Sequence, residues 1–283
     1  MRFRDRIVAR RTLRWLGIWA LALPFQTLAD VTITQLANEG VLLDDGDSTR
    51  VMIDGMVVES YSVYAGLPET LHPSFYQAAD SFADIDLALV SHQHHDHNQP
   101  IHACRFMQAS HATVFYSSTQ VMDLMREKCR EFTLTSPRIK LINPEYDRPE
   151  VLQVKDARVS AFLLSHGRGK YAILQNFGHL VEIGGMRVLH IGDAAMSAAD
   201  FARAGVDEMG VDIALVPFWY FQPGPGGDIV RRFLDAPNII AVHIPPSELH
   251  EVKEHLRVEY PEVIVLDDAL DQARFSATTP SPP

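Results

Sequence analysis

Four histidines and a carboxylate fall within six consecutive positions, His92-Gln93-His94-His95-Asp96-His97. Neutral imidazole nitrogens and carboxylate oxygens are the donors that zinc and related divalent ions take. The run follows the apolar stretch Leu87-Ala88-Leu89-Val90, where a buried strand would leave a sheet. Side chains alternate along extended backbone, so His92 and His94 can face one point. The turn that follows can present Asp96 and His97 to a second point nearby, and His95 breaks the spacing and reads as a spacer. The stretch is internal, which excludes a terminal tag; a solvated His-rich loop is the plain alternative. Three later residues share the same context, a ligand-type side chain after an apolar strand. His166 follows Phe162-Leu163-Leu164-Ser165, Asp193 follows Val188-Leu189-His190-Ile191-Gly192, and His243 follows Ile239-Ile240-Ala241-Val242. Singly, such residues are more often satisfied structural groups. Beside the 92–97 cluster, which needs partners from elsewhere in the chain, they become candidates for one site.

The elements that must position these residues alternate in kind. Val31–Thr34 reads as a strand, and Val41–Leu43 and Arg50–Ile53 flank the turn-rich Asp44-Asp45-Gly46-Asp47 as a hairpin. Residues 60–83 read as an inserted loop with a short helix, and Tyr61, Tyr64 and Phe75 within it are candidates for a lid. Asn98 as N-cap and Pro100 in the first turn predict a helix to Ala109. A strand (112–116), a helix (119–130) and a strand (138–142) follow. From 150 the texture is β, over 151–154, 157–164, 178–183 and 186–191. Helices at 198–204, 229–234 and 247–256 then alternate with strands at 211–216, 239–243 and 263–266. Two mixed sheets packed face to face with helices outside accommodate this order, as do other α/β layer arrangements. Trp219-Tyr220-Phe221 is either a substrate wall or loop packing, and Gly224-Pro225-Gly226-Gly227 reads as loop punctuation. Residues 273–283, rich in Ser, Thr and Pro, read as a disordered tail.

The length of 283 residues suits one large domain or two small ones, and 47% hydrophobic content supports a real core. The first 29 residues hold six Arg and one Asp; setting that +5 aside from the whole-chain −11 leaves −16 on residues 30–283. So acidic a body disfavours nucleic acid as a partner and points to a small-molecule substrate. Basic residues to Arg14, the apolar run Trp15–Phe25 and Thr27-Leu28-Ala29 read as a signal peptide over 1–29. An exported, periplasmic protein is expected, with no stable membrane span after cleavage; an uncleaved N-terminal anchor is the alternative. Arg10-Arg11 raises twin-arginine export. Cys104 and Cys129 are open between a disulfide and two free thiols. Oligomeric state is also left open.

The chain resembles the metallo-β-lactamase superfamily of metal-dependent hydrolases. His92-Gln93-His94-His95-Asp96-His97 matches its His-x-His-x-Asp-His signature, and His166, Ile191-Gly192-Asp193 and Val242-His243 match its later ligand positions in order. Val51-Met52-Ile53-Asp54-Gly55 is similar to its opening strand, which ends in an Asp supporting a ligand. The likeness spans 31–267, within a hydrolase domain placed at 30–272. The layout looks most like the lactonase-like members and the N-acylphosphatidylethanolamine-hydrolysing phospholipase D relatives; the cysteine ligand of the penicillin-hydrolysing enzymes has no counterpart. The resemblance implies an α+β fold, a four-layer αβ/βα sandwich of two mixed β-sheets with helices on the outer faces. It implies two divalent metal ions, zinc first, with manganese or iron as alternatives. By position His92, His94 and His166 would hold the first, Asp96, His97 and His243 the second, and Asp193 would bridge them. A hydroxide shared by the metals would cleave an ester, lactone, amide or phosphodiester bond, with Asp96 and Asp193 as the catalytic carboxylates. The alternatives are a metal-binding scaffold without catalysis and an iron-dependent redox member of the same fold.

Overall fold

Runs of β-branched and aliphatic residues become strands because their side chains pack well on a pleated, half-buried surface. The computed structural model describes residues 30–276, so the expected signal peptide lies outside the described residues. One sheet is built from β1 (Asp30–Ala37), β2 (Gly40–Asp44), β3 (Arg50–Ile53), β4 (Leu87–Leu89), β5 (Val114–Ser117) and β6 (Ile139–Leu141). The second comprises β7 (Glu150–Val154), β8 (Ala157–Leu163), β9 (Phe177–Ile183), β10 (Met186–His190), β11 (Ile213–Pro217), β12 (Asn238–Val242) and β13 (Val263–Val265). The chain then returns as β14 (Gln272–Ser276) to pair antiparallel with β1, Val31 opposite Phe275.

Each sheet has seven strands among the described residues, in orders β14-β1-β2-β3-β4-β5-β6 and β13-β12-β11-β10-β9-β8-β7. Both follow one plan. Antiparallel pairing (β1 to β3, β7 to β10) gives way to parallel pairing (β3 to β6, β10 to β13). The two sheets share a buried interior that includes Ile33, Val51, Leu87, Val188, Leu215 and Ile240. Helices α1 (His72–Gln77), α2 (Pro100–Ala109) and α3 (Thr119–Thr135) accompany the first sheet, and α4 (Ala198–Ala204), α5 (Gly226–Ile229) and α6 (Leu249–Glu259) the second. Their buried apolar side chains join those of the outer sheet faces in two further clusters. The result is the four-layer sandwich that the resemblance implied. Each fully buried Leu, Ile, Val or Phe contributes roughly 1.5–3 kcal/mol, so the interior between the sheets fixes how the two strand edges meet. Among the described residues no helix is long and apolar enough to cross a membrane.

Five expectations are corrected or resolved here. The tail expected to be disordered from residue 273 instead begins with strand β14, because Phe275 is buried at the edge of the interior and its backbone completes the ladder with β1. Phe75 forms no lid; it is fully buried and stacks on Phe106 at 5.1 Å between ring centroids. Helix α2 has Gln99, not Asn98, at its N-cap position, and Asn98 is buried before it. Gly226 and Gly227 open α5, where a Cβ on Gly226 would meet the Tyr220 carbonyl oxygen at 2.3 Å, so only glycine fits. The two cysteines form a disulfide that ties α2 to α3, with Cα atoms 6.2 Å apart.

Candidate metal centre

The loops after β4, β8, β10 and β12 leave the sheets at one common edge, because β8 and β9 reverse direction and bring β8 back parallel to β10. All seven candidate residues meet there. At the end of β3, Asp54 sits at φ 50°, a left-handed conformation uncommon for a residue with a Cβ. Its carboxylate accepts from the Ser91 backbone N at 2.7 Å and from Ser91 Oγ at 2.5 Å, which pins the start of the histidine loop. The loop then turns tightly, with the backbone N of His97 and of Asn98 both donating to the His94 carbonyl. Asp54 Oδ2 also lies 2.9 Å from His97 Nδ1. A carboxylate accepts only, so Nδ1 donates and the lone pair of Nε2 is left free for a cation.

The first group consists of His92, His94 and His166. His94 Nδ1 lies 3.0 Å from His92 Nε2 and 3.2 Å from His166 Nε2. Three nitrogens sharing one tetrahedral cation with bonds of about 2.0–2.1 Å stand about 3.4 Å apart, so these spacings fit a common ion. The second group pairs His97 Nε2 with His243 Nε2 at 3.0 Å, and Asp96 Oδ2 lies 3.4 Å from His243 Nε2 and 3.9 Å from His97 Nε2. Asp193 stands between the groups. Its Oδ2 is 3.3 Å from His166 Nε2 and 3.6 Å from His92 Nε2, whereas its Oδ1 is 3.3 Å from both His97 Nε2 and His243 Nε2. The donor set of imidazole nitrogens and carboxylate oxygens therefore fits two divalent ions.

Several residues hold these loops in place. Asn176, fully buried, accepts from the Asp193 backbone N at 3.0 Å and donates to the carbonyls of Leu164 and Ile191, clamping the segments that carry His166 and Asp193. Gly192 takes φ 53°, and a Cβ there would lie 2.4 Å from Asn176 Oδ1 and 2.8 Å from Ser91 Cβ. His243 itself sits at φ 62°, the kind of strain that clusters at functional sites. Asn38, in the β1–β2 turn, reaches across to the second group: its Nδ2 donates to the Asp96 carbonyl and its own carbonyl accepts from the His243 backbone N.

The electrostatics follow from burial and from crowded imidazoles. Burial alone would raise the Asp193 carboxyl, but His97, His243, His166 and His92 around it hold it well below the usual carboxylate range. Asp96 is likewise held low, against burial, by His243 and His97. Burial, and then the neighbouring charge of His97, pushes His92 well below the ordinary imidazole value. His97 is the exception: Asp193 and Asp54 outweigh its burial and raise it well above that value. Asp96 and Asp193 thus favour the carboxylate and His97 the protonated ring, whose Nε2 proton a bound cation would displace, whereas burial, followed by Asp193 and Asp54, pushes Glu39 well above the usual carboxylate range against the pull of His97.

The surroundings differ in part from what residue types suggested. His95 is exposed and turns its ring toward Tyr61, 5.1 Å between centroids. Tyr64 and Trp219 stand edge-on to His243 at 4.3 and 4.8 Å, and Tyr171 stacks on His166 at 5.4 Å, so aromatic rings flank both groups. His190 makes no contact with the two groups of the kind the seven make; its Nδ1 accepts from the Gly192 backbone N at 3.2 Å. Glu39 and Asn176 escaped the sequence reading altogether. Glu39 is fully buried, 3.7 Å from His97 Nδ1 and 3.5 Å from His190 Nε2. A lone acid in a turn after a strand is ordinary in sequence, and only the fold shows it pointing inward.

Two packed mixed sheets with clustered histidines and aspartates at one edge define the class of metal-dependent hydrolase folds. The chain belongs to the beta-lactamase superfamily: residues 49–264 match the model of its domain. Among solved structures it is similar to Igni18, described as a metallo hydrolase of the archaeon Ignicoccus hospitalis, at 15% identity and TM-score 0.57, covering 88% of this chain and 100% of that one. It is similar to the metallo-beta-lactamase fold protein YhfI of Bacillus subtilis, at 15% identity and TM-score 0.57, covering 87% and 99%. The Zn(2+)-bound PqqB of Methylobacterium extorquens matches at 12% identity and TM-score 0.50, covering 86% and 99%. No curated protein matches the sequence.

Proposed function

We propose that the protein is an exported hydrolase that uses two divalent cations to cleave an ester, lactone, amide or phosphodiester bond in a small molecule. The observation that carries this reading is Asp193, whose two oxygens face two separate imidazole groups at 3.3–3.6 Å. Neighbouring cations need negative charge between them, and a carboxylate supplies it at the right span. The charge count agrees. Glu39, Asp54, Asp96 and Asp193 all lie at the site, and among the described residues their ion-pair partners are histidines, never Lys or Arg. Cations bound there would offset that acidic charge.

Bound there, two such ions supply an activated water at neutral pH and polarise a carbonyl or phosphoryl oxygen. The chain's own residues do the rest. Asp54 keeps His97 in the tautomer that leaves Nε2 free. Asp96, held ionised against burial by His243 and His97, orients the attacking water by accepting a hydrogen bond from it. Tyr64, Trp219 and Tyr171 wall the approach and offer apolar surface to the substrate. Zinc is the first candidate because an all-nitrogen-and-oxygen set of this kind suits it, and one structural neighbour is described as zinc-bound; manganese and iron share the donor preference.

The test is metal content together with turnover on a panel of p-nitrophenyl esters, phosphodiesters and lactones. Two metal equivalents per chain with turnover on one of these classes supports the hydrolase. Two equivalents with no turnover on any of them supports a metal-binding scaffold instead. Export is tested by cell fractionation of the full chain, with recovery in the cytoplasm opposing it.

A further inference from the structure

Among the described residues, Glu39 is the least satisfied carboxylate of the centre. Its side chain is fully buried, and among the described residues neither oxygen has a hydrogen-bond partner. An ionised carboxylate in that state costs several kcal/mol unless a cation or donors compensate it. The two imidazoles facing it do not close the account. His97 Nδ1, 3.7 Å away, is already committed to Asp54 Oδ2 at 2.9 Å, and His190 Nε2, 3.5 Å from Glu39 Oε1, is 3.3 Å from the Glu39 carbonyl. Asp54, by contrast, is fully used, accepting from Ser91 and His97. Two sets of ligand atoms within 4.8 Å of one another include a Glu39 oxygen: one with Asp54 and His190, where Asp54 is already engaged by Ser91 and His97, and one with His97, Asp193 and His243 of the second group. Asp193 Oδ1 is likewise buried and without a hydrogen-bond partner. Two carboxylates brought together in the interior repel unless a cation, or a proton on one of them, relieves the charge.

We propose that Glu39 is a ligand of the second cation, joining His97, Asp193 and His243. This rests on the two-cation reading of the site. Glu39 then supplies the third acidic residue of the bimetal centre, after Asp96 and Asp193, and its burial is the reason the second cation is retained. The β1–β2 turn that carries Glu39 also carries Asn38, which holds the Asp96 and His243 backbones, so one turn delivers both the ligand and the brace. Gly40 follows because a Cβ there would lie 2.6 Å from the Asp54 carbonyl oxygen.

The experiment titrates zinc into chelator-stripped wild-type protein and the Glu39→Gln variant, with cobalt absorption spectra as a second readout. Gln keeps the shape and removes the charge. The expected result is that the first equivalent binds as in wild type while the second binds about 10- to 100-fold more weakly, with a changed cobalt spectrum for the second equivalent alone. The metal-free variant should melt at or above the wild-type temperature, since a buried charge without partners has been removed. Unchanged affinity for both equivalents overturns the proposal, as does a metal-free variant that melts several degrees lower while binding both equivalents normally, which would mark Glu39 as a packing residue. If Glu39→Gln does not fold, Glu39→Asp serves: the shortened carboxylate should weaken the second equivalent only, and wild-type affinity again overturns the proposal. Wild type binding fewer than two equivalents is a different result, and it refutes the two-cation reading itself.

Discussion

Asp193 carries the division of labour at the site, because each of its oxygens belongs to a different imidazole group. Asp193→Asn keeps the shape, the backbone bond to Asn176 and the packing, but removes the charge between the groups. The expected outcome is a folded protein that loses one or both metal equivalents by mass spectrometry and at least about 100-fold in turnover; unchanged stoichiometry and rate contradict the bridging role. His179 makes a second residue-scale prediction. It is fully buried, without hydrogen-bond partners among the described residues, and burial, followed by neighbouring His190, pushes its pKa from 6.5 down to about 3. Between those values the unfolded chain binds a proton that the folded one does not, so stability falls as pH falls, by about 1.4 kcal/mol per pH unit. His179→Leu removes that slope, and its acid unfolding midpoint should move to lower pH in circular dichroism; a midpoint moved upward would contradict the assignment. The contrast between the seven candidates and Glu39 shows what residue types can reveal. His92 to His97, His166, Asp193 and His243 each follow an apolar run, so the pattern itself marks a strand end. Glu39 and Asn176 carry no such mark, since burial gives them their meaning and burial exists only after folding.

Strand ends and the turns after them set the geometry that the residues use. Gly192 joins β10 to Asp193 at φ 53°, packed against Asn176 and Ser91. Gly192→Ala combines an unfavourable backbone conformation with a clash and should cost about 1–3 kcal/mol of stability, with weaker retention of both metal equivalents, because Asn176 clamps the loops of both His166 and Asp193. Denaturant unfolding and metal analysis check this, and a wild-type midpoint would contradict it. Most strands were readable as apolar runs bounded by turn residues, including β4, β10 and β12, which carry the site. β14 was not, because Gln272–Ser276 offers one buried apolar residue, Phe275, beside a Ser/Thr/Pro-rich segment. Its partner β1 supplies the reason for its existence. The lid reading of Phe75 failed for a related reason: an aromatic in an insertion can face either way, and Phe82 and Phe106 draw it inward.

At the scale of the molecule, two sheets with matching antiparallel-to-parallel plans bring their strand ends to a single edge. Local pattern allowed this arrangement among others, and the sequence resemblance chose it. Pairings such as Asp30 with Ser276 join opposite ends of the chain and leave no local trace. The architecture explains why each group draws imidazoles from both sheets, His166 beside His94 and His243 beside His97: neither half holds a complete set of donors, and closing the sandwich assembles it. Metal binding should therefore stabilise the closed fold, since an ion that binds only the folded state adds its binding free energy to stability. The most direct test is anomalous diffraction from zinc-loaded crystals. Two peaks about 3.5–4 Å apart are expected, one within bonding distance of His92, His94 and His166, the other of His97 and His243, with one Asp193 oxygen on each. A single peak, or peaks away from these residues, would contradict it.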